Sequence, residues 1–396
     1  MNSKSGKINH ALGLHLHQPP GNMLDMLGTT EHEAIGIIHA YNRVVKQAMW
    51  HKDIAKIHVG MSGVLLDQLT DPDVIHAYAH HLNIKEMLND YRNAENIELL
   101  GMGHYHPVFP LIPVADWEEQ LTYGRKRIKE VFGREPEGFW PPEMAFTMEM
   151  IPAIVKAGYK YLLVDSLHLK PEKDESGRAD MLSVYIAEYK GHKIPVVPRN
   201  RDISNAQESG MDAYWFKNEV LHKVKDNPNS DKPRLVCTWS DGENGGWFRR
   251  MDEESGFWGH FYAPFMDLVR NEGIINPVKI SEFIEMYPPK EKIKIETGAW
   301  NVASTSGTDF SQWNGSDIQK AGVNEIAEVS RIYHNLSKKA GTKGNGDIKA
   351  KLSQARNYIL EAETSCFLFW GDNWVPKLYD RTKPARKLLD EISRSI

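Results

Sequence analysis

Short apolar runs alternate with longer segments of helical spacing along most of this chain. Apolar runs fall at 8–15, 57–60, 97–102, 138–140, 161–164, 194–197, 235–239 and 293–295, and each reads as a strand. Between them, 31–49, 74–91 (broken near Asn83), 117–132, 148–157 and 211–225 carry apolar residues at helical intervals. Such alternation implies parallel strands with crossover helices, in an open sheet or a (β/α) barrel. The strand pattern favours a distorted barrel of seven or eight strands. From about residue 315 the pattern changes, and 321–338, 347–362 and 382–393 predict helices, with a Gly-rich linker at 341–346. The expected organisation is therefore an α/β barrel over 1–314 and a helical region over 315–396 packed on it. The polar stretch 171–179 predicts a mobile surface loop.

The first strand runs into His15-Leu16-His17-Gln18-Pro19-Pro20. Side chains alternate along a strand, so His15 and His17 share one face while Leu14 and Leu16 take the other. The prolines then end the pairing, because proline has no N–H for a ladder. Two imidazoles and an amide are thus presented at the C-terminal end of a strand, the edge where α/β sheets and barrels bind ligands. Gly103-His104-Tyr105-His106-Pro107 repeats the theme after the third strand. Trp140-Pro141-Pro142-Glu143 places a carboxylate on an exit stiffened by two prolines; a helix starting near Thr147 would also favour a glutamate there through its dipole. Asp241 follows the strand 235–239, and Gly242, Gly245 and Gly246 let the backbone turn tightly around it.

Composition narrows the function classes. With 396 residues, 41% of them hydrophobic, the chain can bury one large core and a smaller satellite. A net charge of -5 argues against nucleic-acid binding and offers no polybasic membrane patch. Cys237 and Cys366 lie far apart in no metal-type spacing and read as reduced thiols. With no apolar signal core at 1–9 and no spanning stretch, a soluble cytoplasmic protein is expected. Of eleven tryptophans, Trp140, Trp239, Trp247, Trp300, Trp313, Trp370 and Trp374 fall in or near loops at the ligand-binding edge. Flat aromatic faces suit the C–H faces of sugar rings; Trp370 and Trp374 are the two best suited instead to packing between helices. Two carboxylates at the ends of different strands suit glycoside hydrolysis, one as nucleophile and the other as acid and then base.

Four of these stretches, in order, resemble motifs of glycoside hydrolase family 57, the family of amylases, glucanotransferases and branching enzymes. They are 15–19 (His-Leu-His-Gln-Pro), 103–107 (Gly-His-Tyr-His-Pro), 139–144 (Phe-Trp-Pro-Pro-Glu-Met) and 239–245 (Trp-Ser-Asp-Gly-Glu-Asn-Gly). Glu-Thr-Ser-Cys-Phe at 363–367 stands in the place of a fifth, with Cys366 near where the family often has an aspartate. The resemblance implies a distorted (β/α)7 barrel, α-glucan substrates, retention of configuration and no required metal or cofactor. It implies Glu143 as nucleophile and Asp241 as general acid/base. His15, His17, Gln18 and His106 would then hold ring hydroxyls, Trp140, Trp239, Trp247 and Trp300 would meet the sugar, and Glu243 would partner the acid or replace it. Two alternatives stay open: a metal-dependent carbohydrate hydrolase or deacetylase using His15, His17, His104, His106 and Asp241 as ligands, and a non-catalytic glycan-binding protein on a hydrolase scaffold. Oligomeric state, linkage and the choice between hydrolysis and transfer are not legible.

Overall fold

The computed structural model describes residues 8–171, 179–225, 232–250, 255–301, 309–341 and 346–396. Most of the expected loop at 171–179 and of the linker at 341–346 lies outside them. The strands are β1 (Ile8–Leu16), β2 (Ile57–Met61), β3 (Ile97–Gly101), β4 (Gly138–Phe139), β5 (Tyr161–Asp165) and β6 (Leu169–Pro171), then β7 (Tyr185–Tyr189), β8 (His192–Arg199), β9 (Leu235–Asp241), β10 (Ile275–Pro277) and β11 (Ile293–Ile295). β1, β2, β3, β4, β5 and β8 pair in that order, all parallel, and β9 lies parallel to β1 on its other edge. These seven strands make the ring of a distorted (β/α)7 barrel.

The distortion sits between β8 and β9. Among the described residues no ladder joins them; the Asn200 N–H donates to the Cys237 carbonyl (2.8 Å) and the Trp239 N–H to Ser204 Oγ (3.1 Å) across the seam. β10 pairs with Ile8–His10 of β1, before β2 takes over that edge at Leu12. The run at 293–295, a candidate eighth barrel strand, instead forms an antiparallel pair with β6 outside the ring.

The long helices stand where their periodicity places them, at Glu31–Trp50, Trp117–Phe132 and Ala213–Lys225. The 74–91 segment is two helices, Pro72–Ala77 and Ile84–Asn93, the second capped by Asn83 through the Glu86 N–H. The 148–157 segment is a 3-10 turn followed by a helix over Ile151–Lys156. Helices over Asn22–Thr29, Gly63–Thr70 and Arg201–Glu208 escaped the sequence pattern because two turns carry too little periodicity to register. The C-terminal helices cover Asp317–Ala340, Gly346–Ala362 and Val375–Ser395; the last starts earlier than 382, with Pro376 accommodated in its first turn.

Inside the barrel, Ala11, Leu100, Met102, Trp140, Leu163, Val197, Cys237 and Trp239 form one buried cluster. Gly13 belongs to the same inward face of β1, and a Cβ there would stand 1.9 Å from Cε3 of Trp239, so only glycine lets that indole lie against the strand. The helical region shares its core with the exits of β3 and β4: Val108, Ala145 and Ala299 pack with Trp313, Ile326, Phe367 and Leu368. Buried polar groups pin the same junction. Asp116 pairs with Arg356 Nη1 (2.7 Å) and accepts from Ser330 Oγ (2.6 Å), while the Gln120 amide donates to Glu363 (2.7 Å) and to the Leu360 carbonyl (3.1 Å). The segment that begins at Glu363 is thereby held against the mouth of the barrel.

Candidate active site

A cleft of ≈ 770 Å³ opens at the C-terminal ends of β1 and β9, where His15 and Asp241 are register partners. His15, His17, Gln18, His106, Glu143, Asp241, Glu243 and Trp300 all line it. So do Cys366, Trp370 and Trp374 from the helical region.

The cleft floor is a stack of rings. Trp239 lies on Trp140 (centroids 4.7 Å apart), Trp140 on His15 (5.8 Å), His15 on His106 (4.7 Å) and His106 on His17 (3.9 Å, planes 9° apart). Burial lowers the His15 pKa to about 3, and burial with neighbouring imidazoles drives His17 and His106 well below the usual range. All three rings are neutral at ordinary pH. Their hydrogen bonds tie them to the frame: His17 Nδ1 lies 2.8 Å from Ser62 Oγ, and His106 Nδ1 2.8 Å from Ser365 Oγ. His15 Nδ1 and His17 Nε2 are buried without a protein partner.

Glu143 sits in a 3-10 turn rather than at a helix start, with φ 59° and ψ 17°. His106 (φ 60°) and Met144 (φ 51°) are also left-handed, a conformation that costs an L-residue about 1–2 kcal/mol. The turn is held by backbone bonds from Met144 to Pro141 (2.8 Å) and from Trp300 to Glu143 (3.0 Å). Both carboxylate oxygens meet donors: Ser365 Oγ–H to Oε1 (2.7 Å) and the Trp300 indole N–H to Oε2 (3.0 Å). Burial raises the Glu143 pKa, and these two donors oppose the rise by favouring the anion.

Asp241 is raised as well, with less to oppose it. Burial first, then the negative charges of Glu143 and Glu208, push its pKa up to about 8, against an amide bond from Asn244 (2.5 Å) and the positive charge of Arg199. It therefore holds its proton at neutral pH while Glu143, with two donors, is the better anion. Glu243 accepts from the His17 N–H (2.9 Å), and burial and the Asp241 charge raise it well above the usual range. Two carboxyl groups of one cleft, one held by two donors and the other pushed up to about 8, can divide the work of nucleophile and acid.

Several expectations need correcting. Trp140 and Trp239 are fully buried beneath the cleft, so their faces support His15 rather than meet a ligand. Trp247 packs against the barrel's outer core and edge-on to His260, away from the cleft. Trp313 is buried in the helical core, Trp370, 57% exposed, lines the cleft instead of packing between helices, and Trp374 both packs against the helical core and lines the cleft. His104 turns out to Asp67 (2.8 Å) and leaves the histidine group. The His15 and His106 rings meet each other through their Nε2 atoms (2.9 Å), and among the described residues no three His, Cys, Asp or Glu are arranged to hold a metal ion. Ser365, Ser62 and Asn244 were not foreseen. Ser365 and Asn244 had a signal, their places in the 363–367 and 239–245 stretches, where attention goes to the cysteine and the carboxylates beside them.

Residues 11–296 match the model of glycosyl hydrolase family 57. The chain belongs to that family. Alpha-amylase 1 of Dictyoglomus thermophilum is 26% identical over 303 residues, 74% of this chain and 40% of that protein. A 4-alpha-glucanotransferase of Thermococcus litoralis is 23% identical over 72% of this chain and 40% of its own length. The chain thus spans about 40% of the length of both curated relatives. Among solved structures, the family 57 branching enzyme of Pyrococcus horikoshii superposes with a TM-score of 0.73 at 17% identity, covering 98% of this chain and 88% of that one. At such identity the likeness establishes a shared family 57 fold, including the helical region beyond residue 296.

Proposed function

We propose that this family 57 chain is a retaining glycoside hydrolase or transglycosidase that acts on α-glucans, at α-1,4 or α-1,6 linkages, through a covalent glycosyl-enzyme. The observation that carries the reading is one cleft that holds Glu143 between two hydrogen-bond donors and Asp241 with its pKa pushed up to about 8. A Glu143 oxygen attacks the anomeric carbon while the Asp241 O–H protonates the departing glycosidic oxygen. The leaving chain exits with that proton. Asp241, now a carboxylate, takes a proton from water or a sugar hydroxyl, whose oxygen attacks the anomeric carbon and releases Glu143. His15, His17, His106 and Gln18 hold the reacting ring, and Trp300 orients the nucleophile through its indole N–H.

Trp370 and Trp374, with centroids 6.1 Å apart at the cleft wall, offer aromatic faces to further sugars. Amylase, glucanotransferase and branching activities, those for which its relatives are named, all fit this chemistry and differ in the acceptor. Among the described residues no helix is long and apolar enough to cross a membrane; we place the chain in the cytoplasm on the two free thiols, Cys237 and Cys366.

The test is product analysis after incubation with maltoheptaose, with and without EDTA, beside Glu143→Gln. New oligosaccharides that survive EDTA and vanish in the variant are expected. Loss of product on chelation would instead favour the metal-dependent reading, and tight glucan binding without turnover the binding protein.

A further inference from the structure

The helical region contributes one hydroxyl to the barrel's carboxylate, and its geometry dictates more than an anchor. Ser365 is fully buried, and its backbone N–H donates to the His106 carbonyl (2.9 Å), beside a bridge between Pro107 and Thr364. Its Oγ lies 2.7 Å from Glu143 Oε1 and 2.8 Å from His106 Nδ1. On the other side of the same imidazole, His106 Nε2 lies 2.9 Å from His15 Nε2. These contacts link four side chains in a row.

Hydrogen counting orders the row. An ionised carboxylate only accepts, so the single hydroxyl hydrogen of Ser365 goes to Glu143. Ser365 must then accept from His106, which places the hydrogen of that ring on Nδ1. Nε2 of His106 is left bare, so the hydrogen between the two histidines belongs to His15 Nε2. The last atom of the row, Nδ1 of His15, carries a lone pair, is buried and has no protein partner. We propose that Ser365 is a positioning residue: it fixes the direction of the hydrogen bonds from His15 through His106 to Glu143, so that Nδ1 of His15 is offered to the ligand as an acceptor for a sugar hydroxyl. The inference rests on the reading of Glu143 as the ionised nucleophile. It assigns a tautomer to two histidines and a task to the helical region.

The row also reverses as a unit. When Glu143 gains a proton, the carboxyl O–H donates to Ser365, Ser365 donates to His106 Nδ1, and His106 Nε2–H donates to His15 Nε2. His15 then carries its hydrogen on Nδ1. One proton taken up at Nδ1 of His15 and passed along three hydrogen bonds to Glu143 balances this change. The ionisable groups facing Glu143 are His106 at 3.9 Å, Asp241 and the Cys366 thiol, with Trp300 as the remaining donor.

The experiment labels histidine rings with 15N in the full chain, with His15 and His106 assigned from His15→Gln and His106→Gln. At pH 7 the wild type should show hydrogen on Nδ1 of His106 and Nε2 of His15. Either ring in the other tautomer, or an even mixture, overturns the proposal. In Ser365→Ala, His106 should lose its single tautomer, kcat should fall about 10- to 100-fold with KM little changed, and the acid limb of the pH profile should move to higher pH because one donor to the anion is gone. Ser365→Thr, which keeps the hydroxyl, should restore all three. A Ser365→Ala protein with the wild-type tautomer and an unmoved acid limb makes the serine merely structural and overturns the proposal. Should Ser365→Thr fail to fold, the wild-type spectrum still decides. Because the tautomers are read on the resting protein, they also decide if no glucan is turned over, so failure of the functional reading is seen separately.

Discussion

Asp241→Asn should make the protein more stable and nearly inactive, and the stability gain should depend on pH in a defined way. In the unfolded chain the Asp241 carboxyl titrates near 3.8, whereas in the fold it holds its proton to about 8. Between these values the unfolded state has lost a proton that the folded state keeps. The folded state therefore binds more protons, and stability falls as pH rises through this window. Fully realised, the shift would cost about 4 kcal/mol at pH 7, at about 1.4 kcal/mol per pH step. Asparagine is isosteric, never ionises, and can still accept from Asn244 through its carbonyl. Equilibrium urea titrations at pH 4, 6, 7 and 8.5 should show no gain at pH 4, a gain growing to pH 8, and no further change above it. In the same variant kcat should fall about 10²- to 10⁴-fold for a glucan but much less for a glycoside with a good leaving group, which needs no acid. A variant less stable than wild type at pH 7, or a gain already complete at pH 4, would mean that the folded protein does not keep Asp241 protonated and that the acid lies elsewhere, with Glu243 next in line.

The wild-type kcat/KM should be bell-shaped in pH. Its alkaline limb should lie near pH 8, where Asp241 loses the proton it must donate, and its acid limb above the ordinary glutamate value, because burial raises Glu143. Activity constant from pH 7 to 10 would remove Asp241 from the acid's role. Gly13→Ala should destabilise the chain by about 2–3 kcal/mol and lower activity together, since the new methyl meets Trp239 at 1.9 Å and the indole is backed by Trp140. Urea midpoints beside turnover would check this, and an unaffected midpoint would mean that the ring stack tolerates displacement.

What sequence could reveal here divides by the range of the interaction. Period-two alternation suffices to put His15 and His17 on one face of β1, and a proline-stiffened strand exit suffices to mark Glu143, because both are local properties of a few residues. The alternation of strand and helix points to a parallel barrel of seven or eight strands, but the three-residue run at 293–295 reads like a barrel strand and has a different partner. Tryptophans were misread for a related reason. Trp140 and Trp239 sit at strand ends, where sequence alone does not tell an inward ring from one facing the cleft; the decision belongs to Gly13, 226 positions before Trp239, which leaves room for the indole inside. Trp370 follows a helical segment and looks like packing until Gln120 and Glu363 fix where that segment meets the barrel.

The site itself is nonlocal in the same sense. His106 meets His15 across 91 residues and Ser365 across 259, and each of those contacts depends on a backbone that sequence patterns do not encode: a left-handed φ at His106 and at Glu143, and a buried clamp between Asp116, Gln120, Arg356 and Glu363. Strain at two residues of the barrel and order in the helical region are thus parts of one arrangement. The clamp sets Ser365, Ser365 orients both Glu143 and His106, and the left-handed turns aim those two side chains at each other. Removing the helical region would leave the barrel its two carboxylates and take away a donor that keeps one of them an anion, so the segment beyond residue 315 acts in the chemistry of the cleft as well as in its shape.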